Sequence, residues 1–453
     1  MEAASPGLLP IRRSRFDRFK QIPPYALLAC VLVLAMVPRF IFLKQSEWQQ
    51  VYVDTARQFL NGDGLYGPGQ PYVYPPFMAA MVTPFSFLSE KVSRALWLAV
   101  NALALVVCLR AGWQLAGGGR RLPGWDSPRS EHWILWLGLA CGGYYIIDSL
   151  GHQQTDLIIA ALLLRGCLAM REDRSLLAGV LLGVAAGCKC TPLLFAPYLI
   201  WRGRWLSCVT LLAVAGGVNL VPDLIRAHPD GNLWLMQWWK TFIAPQLRGD
   251  LPPGVWASEV IYNQSLSGAF YRWTQTTWTW EALGIVVVPS STALPAADLR
   301  RLVRVAQFGF VLAAVVVFLH RPFRSIIGAT PESAHNRHAL ECSLILILML
   351  LFSPMSSKPH FCTLLLPGLC LARTLMTANN QKVLWCLFAT AALCGLLANK
   401  DLVKARIYTL VLWYGLVTIS AVLLGVGCGL ALLQKRKTQI VVPEITEERR
   451  AAA

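Results

Sequence analysis

Polar residues able to act on a phosphate-linked group gather at five places in this 453-residue chain. Glu47 and Asp54 lie a few residues apart, with Arg57 after them; His152, Gln153 and Gln154 are consecutive. Lys189 stands between Cys188 and Cys190, Asn263-Gln264-Ser265 form a polar triplet, and Lys358 and His360 are separated by one proline. A carboxylate can take the proton of an attacking hydroxyl. Lys and His groups can stabilise the negative charge that grows on a departing phosphate. This set therefore suits transfer at a phosphate, with Glu47, Asp54 and His360 as catalytic candidates. Each group also has a simpler use. Asp54 can pair with Arg57 one turn away, Lys189 can reach up to lipid headgroups, a loop histidine can be structural, and Asn263-Gln264-Ser265 fits a glycosylation sequon.

The elements that must position these residues are apolar. The chain is 55% hydrophobic and 14% charged, against roughly 25% charged in soluble domains. Bilayer-length apolar runs recur along its length, which predicts an all-α polytopic bundle in a lipid bilayer. About twelve spans are expected, near 25–43, 92–116, 133–150, 154–170, 175–187, 190–201, 206–222, 301–320, 338–353, 361–377, 382–398 and 406–434. The stretch 175–201 is too short for two full crossings and has basic residues at both ends (Arg171, Arg174, Arg202, Arg204), so two short helices meeting at Lys189 are expected.

The net charge of +17 is spread between the apolar runs. It fits the excess of Lys and Arg in cytoplasmic loops better than a nucleic-acid patch. A basic cytoplasmic tail (1–24), a membrane domain (25–434) and a disordered cytoplasmic tail (435–453) follow, with two large outer loops at 44–91 and 223–300. All five polar clusters then fall on the outer, periplasmic or extracellular, face of a multi-pass cell-membrane protein. In the first outer loop, Glu47, Gln50, Asp54, Arg57 and Gln58 fall on one face of an expected helix over 47–60, and 77–88 reads as an apolar segment lying at or dipping into the interface. The second outer loop is rich in tryptophan (Trp234, Trp238, Trp239, Trp256, Trp273, Trp278, Trp280), which suits an interfacial belt or a platform for a sugar or lipid chain. The thirteen cysteines show no metal-ligand spacing and mostly sit in apolar runs, where Cys serves as a small hydrophobe. No metal cluster and no phosphate-binding glycine motif is present in the sequence.

Several of these stretches together resemble glycosyltransferase family 87, the polyprenyl-phosphate-mannose-dependent mannosyltransferases with the GT-C fold. They are Val51-Tyr52 through Gly62-Asp63-Gly64-Leu65-Tyr66 with Tyr74-Pro75-Pro76-Phe77; Gly151-His152-Gln153-Gln154-Thr155-Asp156; Gly187-Cys188-Lys189-Cys190-Thr191-Pro192; and Asn263-Gln264-Ser265-Leu266. The run from Ser353-Pro354 to Lys358-Pro359-His360 looks like the family's late His-bearing loop. The resemblance implies inverting transfer of a hexose, mannose foremost, from a polyprenyl-phosphate donor to a glycolipid or glycan acceptor, with no metal or cofactor. It implies an acidic general base just after the first helix; Glu47 falls one step early and Asp54 falls after Tyr52, so both stand. By the same resemblance His360 contacts the phosphate or orients the acceptor, Lys189 and His152 hold the lipid phosphate, and Asn263 and Gln264 bind sugar hydroxyls. Arg57, Tyr74, Gln153 and Lys358 complete the expected substrate-binding set. The competing function is a transporter or lipid flippase, for which inverted repeats and midplane ion sites would be expected.

Overall fold

In the computed structural model, residues 24–42, 46–67, 69–248, 255, 257–281, 284–319, 331–378 and 381–451 are described. The basic residues before Pro24, Arg321 and Arg324, and Trp256 lie outside them. Helix α1 (Pro24–Phe42) is followed by a π-turn (Trp48–Val53), α2 (Asp54–Asn61), α3 (Pro76–Ser86), α4 (Glu90–Leu115), α5 (Arg129–Gly151), α6 (Asp156–Arg171) and α7 (Ser175–Cys188). A 3₁₀ turn (Thr191–Leu194) leads into α8 (Phe195–Trp201), then come α9 (Trp205–Val218), α10 (Val221–Ile225), α11 (Trp234–Trp238), α12 (Ala244–Arg248) and α13 (Leu266–Gln275). A hairpin of β1 (Thr276–Glu281) and β2 (Gly284–Pro289) precedes α14 (Ala296–Phe318) and α15 (Pro331–Phe352). A second 3₁₀ turn (Lys358–Leu364) opens α16 (Leu365–Thr377), followed by α17 (Lys382–Leu397), α18 (Ala405–Trp413) and α19 (Leu416–Ala451).

Seven helical stretches among the described residues are long and apolar enough to cross a bilayer, and three more, including α7 and α17, are shorter apolar helices. The fold is an all-helical membrane bundle, as expected. Several details depart from the sequence reading. The stretch expected as one span over 406–434 is broken at Gly415, whose positive φ of 69° ends α18 and turns the chain into α19. Helix α19 runs on to Ala451, past the point where the sequence suggests an irregular tail. The hairpin is a small β element in an otherwise α fold. Its strands alternate or run in β-branched and aromatic residues, with Trp280 opposite Ile285 and Trp278 opposite Val287. The segment over 77–88 is α3, started by Pro76 in its first turn, with Met78, Ala79, Ala80 and Val82 buried against the protein.

Glycines set the closest helix contacts. A Cβ on Gly142 of α5 would meet the Leu365 backbone at 2.6 Å, and one on Gly138 would meet Leu369 Cγ at 2.6 Å. Gly179 and Gly183 of α7 do the same against α9, where the Ser207 and Leu211 carbonyls would lie at 2.7 and 2.8 Å. This four-residue spacing of small residues lets backbones approach where lipid offers no hydrophobic drive. Helix α7 has 14 residues, hence a length of ~21 Å at ~1.5 Å per residue, against a hydrocarbon core ~30 Å thick. Its end, and Lys189 with it, therefore stops below the level a full crossing would reach. At the opposite end of the bundle Arg202, expected in a cytoplasmic loop, is instead buried with Arg337 against Glu341 at 2.6 and 3.0 Å. Tyr198 adds a hydrogen bond to the same carboxylate. Two guanidiniums and a hydroxyl satisfy the carboxylate that burial would otherwise penalise.

Candidate active site

Glu47 enters the site at the start of the π-turn. Trp48, next to it, is fully buried, stacks on Trp97 with ring centroids 3.7 Å apart, and donates to Ser93 Oγ at 2.9 Å. This anchor fixes the direction of the Glu47 side chain. Its Oε1 lies 2.7 Å from His152 Nδ1, and its Oε2 accepts from Gln154 Nε2. The tight turn that presents these partners depends on Gln153, which takes φ of 57°. Its carbonyl accepts from Trp97 Nε1 at 2.9 Å, and its side-chain oxygen accepts from Ser46. Behind His152, its Nε2 stands 3.8 Å from Asp148 Oδ1. The hydrogen bond to Glu47 raises the His152 pKa above the ordinary value; partial burial opposes this and the Asp148 charge reinforces it.

A second cluster lies deeper. Lys189 leaves the end of α7 in an extended conformation and its Nζ meets Asp156 Oδ1 at 2.8 Å. Asp156 occupies the first turn of α6, where the helix dipole favours a carboxylate. His360 Nε2 approaches the same Oδ1 at 3.5 Å. Its Nδ1 accepts the Ser357 backbone N–H at 3.0 Å, so Nε2 is the nitrogen left to carry the proton toward Asp156. Lys189 also lies 5.9 Å from the centre of the Tyr74 ring. The Tyr52 hydroxyl donates to that of Tyr74 at 2.8 Å. Burial by itself would lower the Lys189 pKa, but the Asp156 charge, the nearby Tyr74 and the hydrogen bond to Asp156 together outweigh it, and the net direction is upward.

The two clusters border adjoining cavities. A cavity of about 400 Å³ is walled by Glu47, Tyr52, Tyr74, Gln154, Ser357 and His360. Tyr74, Met355 and His360 separate it from a smaller chamber of about 90 Å³, where Lys189 and Thr191 face Trp238, Phe242 and Ile243. One chamber thus offers a carboxylate and the other a cation beside an apolar wall. All of these residues come from one end of the bundle. Glu47 follows α1, His152 and Asp156 flank the α5–α6 turn, Lys189 ends α7, and Ser357 and His360 lie between α15 and α16.

Other residues singled out in the sequence sit elsewhere. Asp54 and Arg57 form an exposed pair at 2.9 Å, with side chains 46% and 45% accessible, off the cavity wall. The expectation that Glu47 and Asp54 share one helix face does not hold. The π-turn between them closes i→i+5 bonds and rotates each residue by less than the α-helical ~100°, so a position seven residues on is turned away. Asn263 is fully buried, donating to the Pro354 carbonyl and accepting from the Ser265 and Ser356 backbone. Gln264 donates to the Ile261 and Leu412 carbonyls, and its own backbone N–H donates to Ser356 O at 2.7 Å. Both tie the second large loop to the 353–360 loop and the last helices, and neither borders the cavity. Lys358 lies between the Tyr144 and Tyr408 rings, 5.3 and 5.1 Å from their centres, with Asp148 Oδ1 at 3.5 Å. Among the loop tryptophans, Trp234 and Trp238 are internal while Trp239, Trp273 and Trp280 face outward.

Sequence reasoning passed over Asp148 and Asp156 as site residues. Asp156 did carry a signal, since a carboxylate opening an apolar run of helix is costly unless a cation awaits it.

The glycosyltransferase family 87 profile matches residues 72–354, which include Tyr74, His152, Asp156 and Lys189 but stop short of Glu47 and His360. A polyprenol-phosphate-mannose-dependent alpha-(1-2)-phosphatidylinositol pentamannoside mannosyltransferase of Mycobacterium tuberculosis is 29% identical over 157 residues, covering 33% of this chain and 34% of that protein. The Mycolicibacterium smegmatis protein described in the same words is 28% identical over 199 residues, 41% of this chain and 46% of its own length. A polyprenol-phosphate-mannose-dependent alpha-(1-2)-phosphatidylinositol mannoside mannosyltransferase of M. tuberculosis is 23% identical over 205 residues, again 41% and 46%. The chain thus spans less than half the length of each of these relatives. No solved structure matches it. The family match extends over more than half of the sequence, and the chain belongs to glycosyltransferase family 87.

Proposed function

We propose that this protein is an integral membrane glycosyltransferase that moves a hexose, mannose foremost, from a polyprenyl-phosphate donor to a hydroxyl of a glycolipid or glycan acceptor. The observation that carries the reading is the convergence of Glu47 and the Lys189–His360 pair on adjoining chambers. Acceptor and donor phosphate can meet there. In this reading Glu47 takes the proton of the acceptor hydroxyl as its oxygen attacks the anomeric carbon. The bond to the phosphate breaks on the opposite face, and the configuration inverts. Lys189 and His360 side chains, rather than a metal, meet the charge that develops on the leaving phosphate. Trp238, Phe242 and Ile243 offer an apolar wall beside Lys189 for the first part of a lipid chain.

The relatives' names supply the donor class: each is described as polyprenol-phosphate-mannose-dependent. The sidedness rests on charge. Arg171 and Arg174, which link α6 to α7 at the end away from the site, mark that end as cytoplasmic by the positive-inside rule. The site then faces the periplasm or the cell exterior.

The test uses protein purified in detergent with radiolabelled polyprenyl-phosphate-mannose and a mixture of membrane glycolipids. Label should pass to a glycolipid without any sealed compartment. Donor binding with no transfer to any acceptor, together with donor movement across reconstituted vesicles, would replace this reading with a transporter.

A further inference from the structure

Among the described residues, Asp156 is the carboxylate that the Lys189 ammonium and the His360 imidazole of the deeper cluster both approach. Its Oδ1 lies 2.8 Å from Lys189 Nζ and 3.5 Å from His360 Nε2. Its side chain is only 5% accessible, and its other oxygen, Oδ2, is buried without a hydrogen-bond partner among the described residues. Among the described residues, the carboxylate is therefore held by the two side chains that the proposed function assigns to the donor phosphate. All three residues border the same small cavity of about 30 Å³, together with Thr191, Ser353 and Thr363. A phosphate that reaches Lys189 and His360 must share them with a negative charge already in place.

We propose that Asp156 is a built-in competitor of the phosphate: it holds Lys189 and His360 in position while the site is empty, and repels the phosphate most strongly once transfer has raised its charge. This rests on the phosphate-donor reading above. The physical reason is the change in charge along the reaction. A polyprenyl-phosphate sugar is a phosphodiester with one negative charge, whereas the departing polyprenyl phosphate is a monoester carrying ~1.5 to 2 at neutral pH. A fixed anion a few ångströms away penalises the second species more than the first. Asp156 is thus a positioning residue that also promotes product release.

The experiment measures binding of two short probes, farnesyl phosphate and its methyl diester, to the full chain in detergent, with farnesol as the uncharged control. In the wild type the diester should bind more tightly than the monoester, although the monoester carries more charge. Asp156→Asn keeps the side-chain shape and removes the charge. It should tighten farnesyl phosphate by roughly tenfold, a ~1.4 kcal/mol relief of repulsion, while turnover falls because His360 and Lys189 lose their anchor. A structural role alone would weaken both probes together. Weaker or unchanged monoester binding in Asp156→Asn overturns the proposal. So does a wild type that prefers the monoester, a result that needs no variant to fold. If neither probe binds better than farnesol, the phosphate-donor reading itself is lost. If both bind, and Lys189→Gln abolishes that binding while Asp156→Asn also weakens it, only the competitor role is lost.

Discussion

The replacement Glu47→Gln isolates the proton-acceptor role with little change of shape. Glutamine keeps an oxygen that can accept from His152 Nδ1, now at 2.7 Å from the carboxylate, but it cannot take a proton from an acceptor hydroxyl. General-base catalysis is worth ~10²–10⁴ in rate, or ~2.7–5.4 kcal/mol of barrier. Turnover should fall by that factor. The donor KM should move by less than about threefold, because Lys189 and His360, the residues proposed to meet the phosphate, contact Asp156 and not Glu47. Asp54→Asn is the matched control. Its pair with Arg57 is half exposed at 2.9 Å, a kind of contact worth ~0–1 kcal/mol, so activity should stay within about twofold of wild type. The assay is single-turnover transfer of labelled mannose from polyprenyl-phosphate-mannose by detergent-purified protein, with folding checked by thermal melting. If Glu47→Gln retains more than about a third of wild-type turnover, or if Asp54→Asn falls as far as Glu47→Gln, the general-base assignment is wrong.

Three further outcomes follow from the same contacts. The His152 pKa is raised in the folded protein, chiefly by the hydrogen bond to Glu47. The stability this confers is therefore complete below the ordinary histidine value of ~6.5 and is lost as pH rises through the higher folded value. The melting temperature of His152→Gln should lie furthest below wild type in acid and converge on it in base; a gap that widens with pH would contradict the contact. Lys358→Met removes one partner from the buried pair with Asp148, whose side chains are 9% and 8% accessible. The expected loss is ~3–5 kcal/mol, read as a lower melting temperature, and Asp148→Asn in the same chain should restore part of it. Gly142→Ala would place a Cβ 2.6 Å from the Leu365 backbone, costing ~1–3 kcal/mol by overpacking. It should reduce activity as well as stability, since α5 and the 3₁₀ turn leading into α16 carry His152 and His360; a variant with unchanged melting and turnover would show that the close approach is dispensable.

Much of the site was readable because each signal was local. Apolar length marks a membrane helix whatever surrounds it, and Arg171, Arg174, Arg202 and Arg204 flanking a stretch too short for two crossings gave the break at Lys189. Glu47, His152, Lys189 and His360 were singled out because polar groups at the ends of apolar runs are scarce. The structure then decided which of them meet. Glu47 lines the cavity and Asp54 does not, across six π-helical residues whose departure from 3.6-residue periodicity leaves no mark in hydrophobic pattern. Asn263, Gln264 and Lys358 looked like binding groups, yet their side-chain nitrogens donate to the Pro354, Ile261 and Leu412 carbonyls, Tyr144 and Asp148. Partners up to 214 residues distant in sequence cannot be read from the sequence near either residue.

By itself, then, the amino-acid sequence determined the solvent of this protein, its helical class, its family and the polar residues from which the site is drawn. Those follow from composition and from patterns a few residues long. Only the tertiary structure decided that Asp156 is shared by Lys189 and His360, and that Glu47 rather than Asp54 lines the cavity beside His152 and His360. Each of these is a distance between residues on different helices, set by how closely glycine-lined helices pack and where they stop.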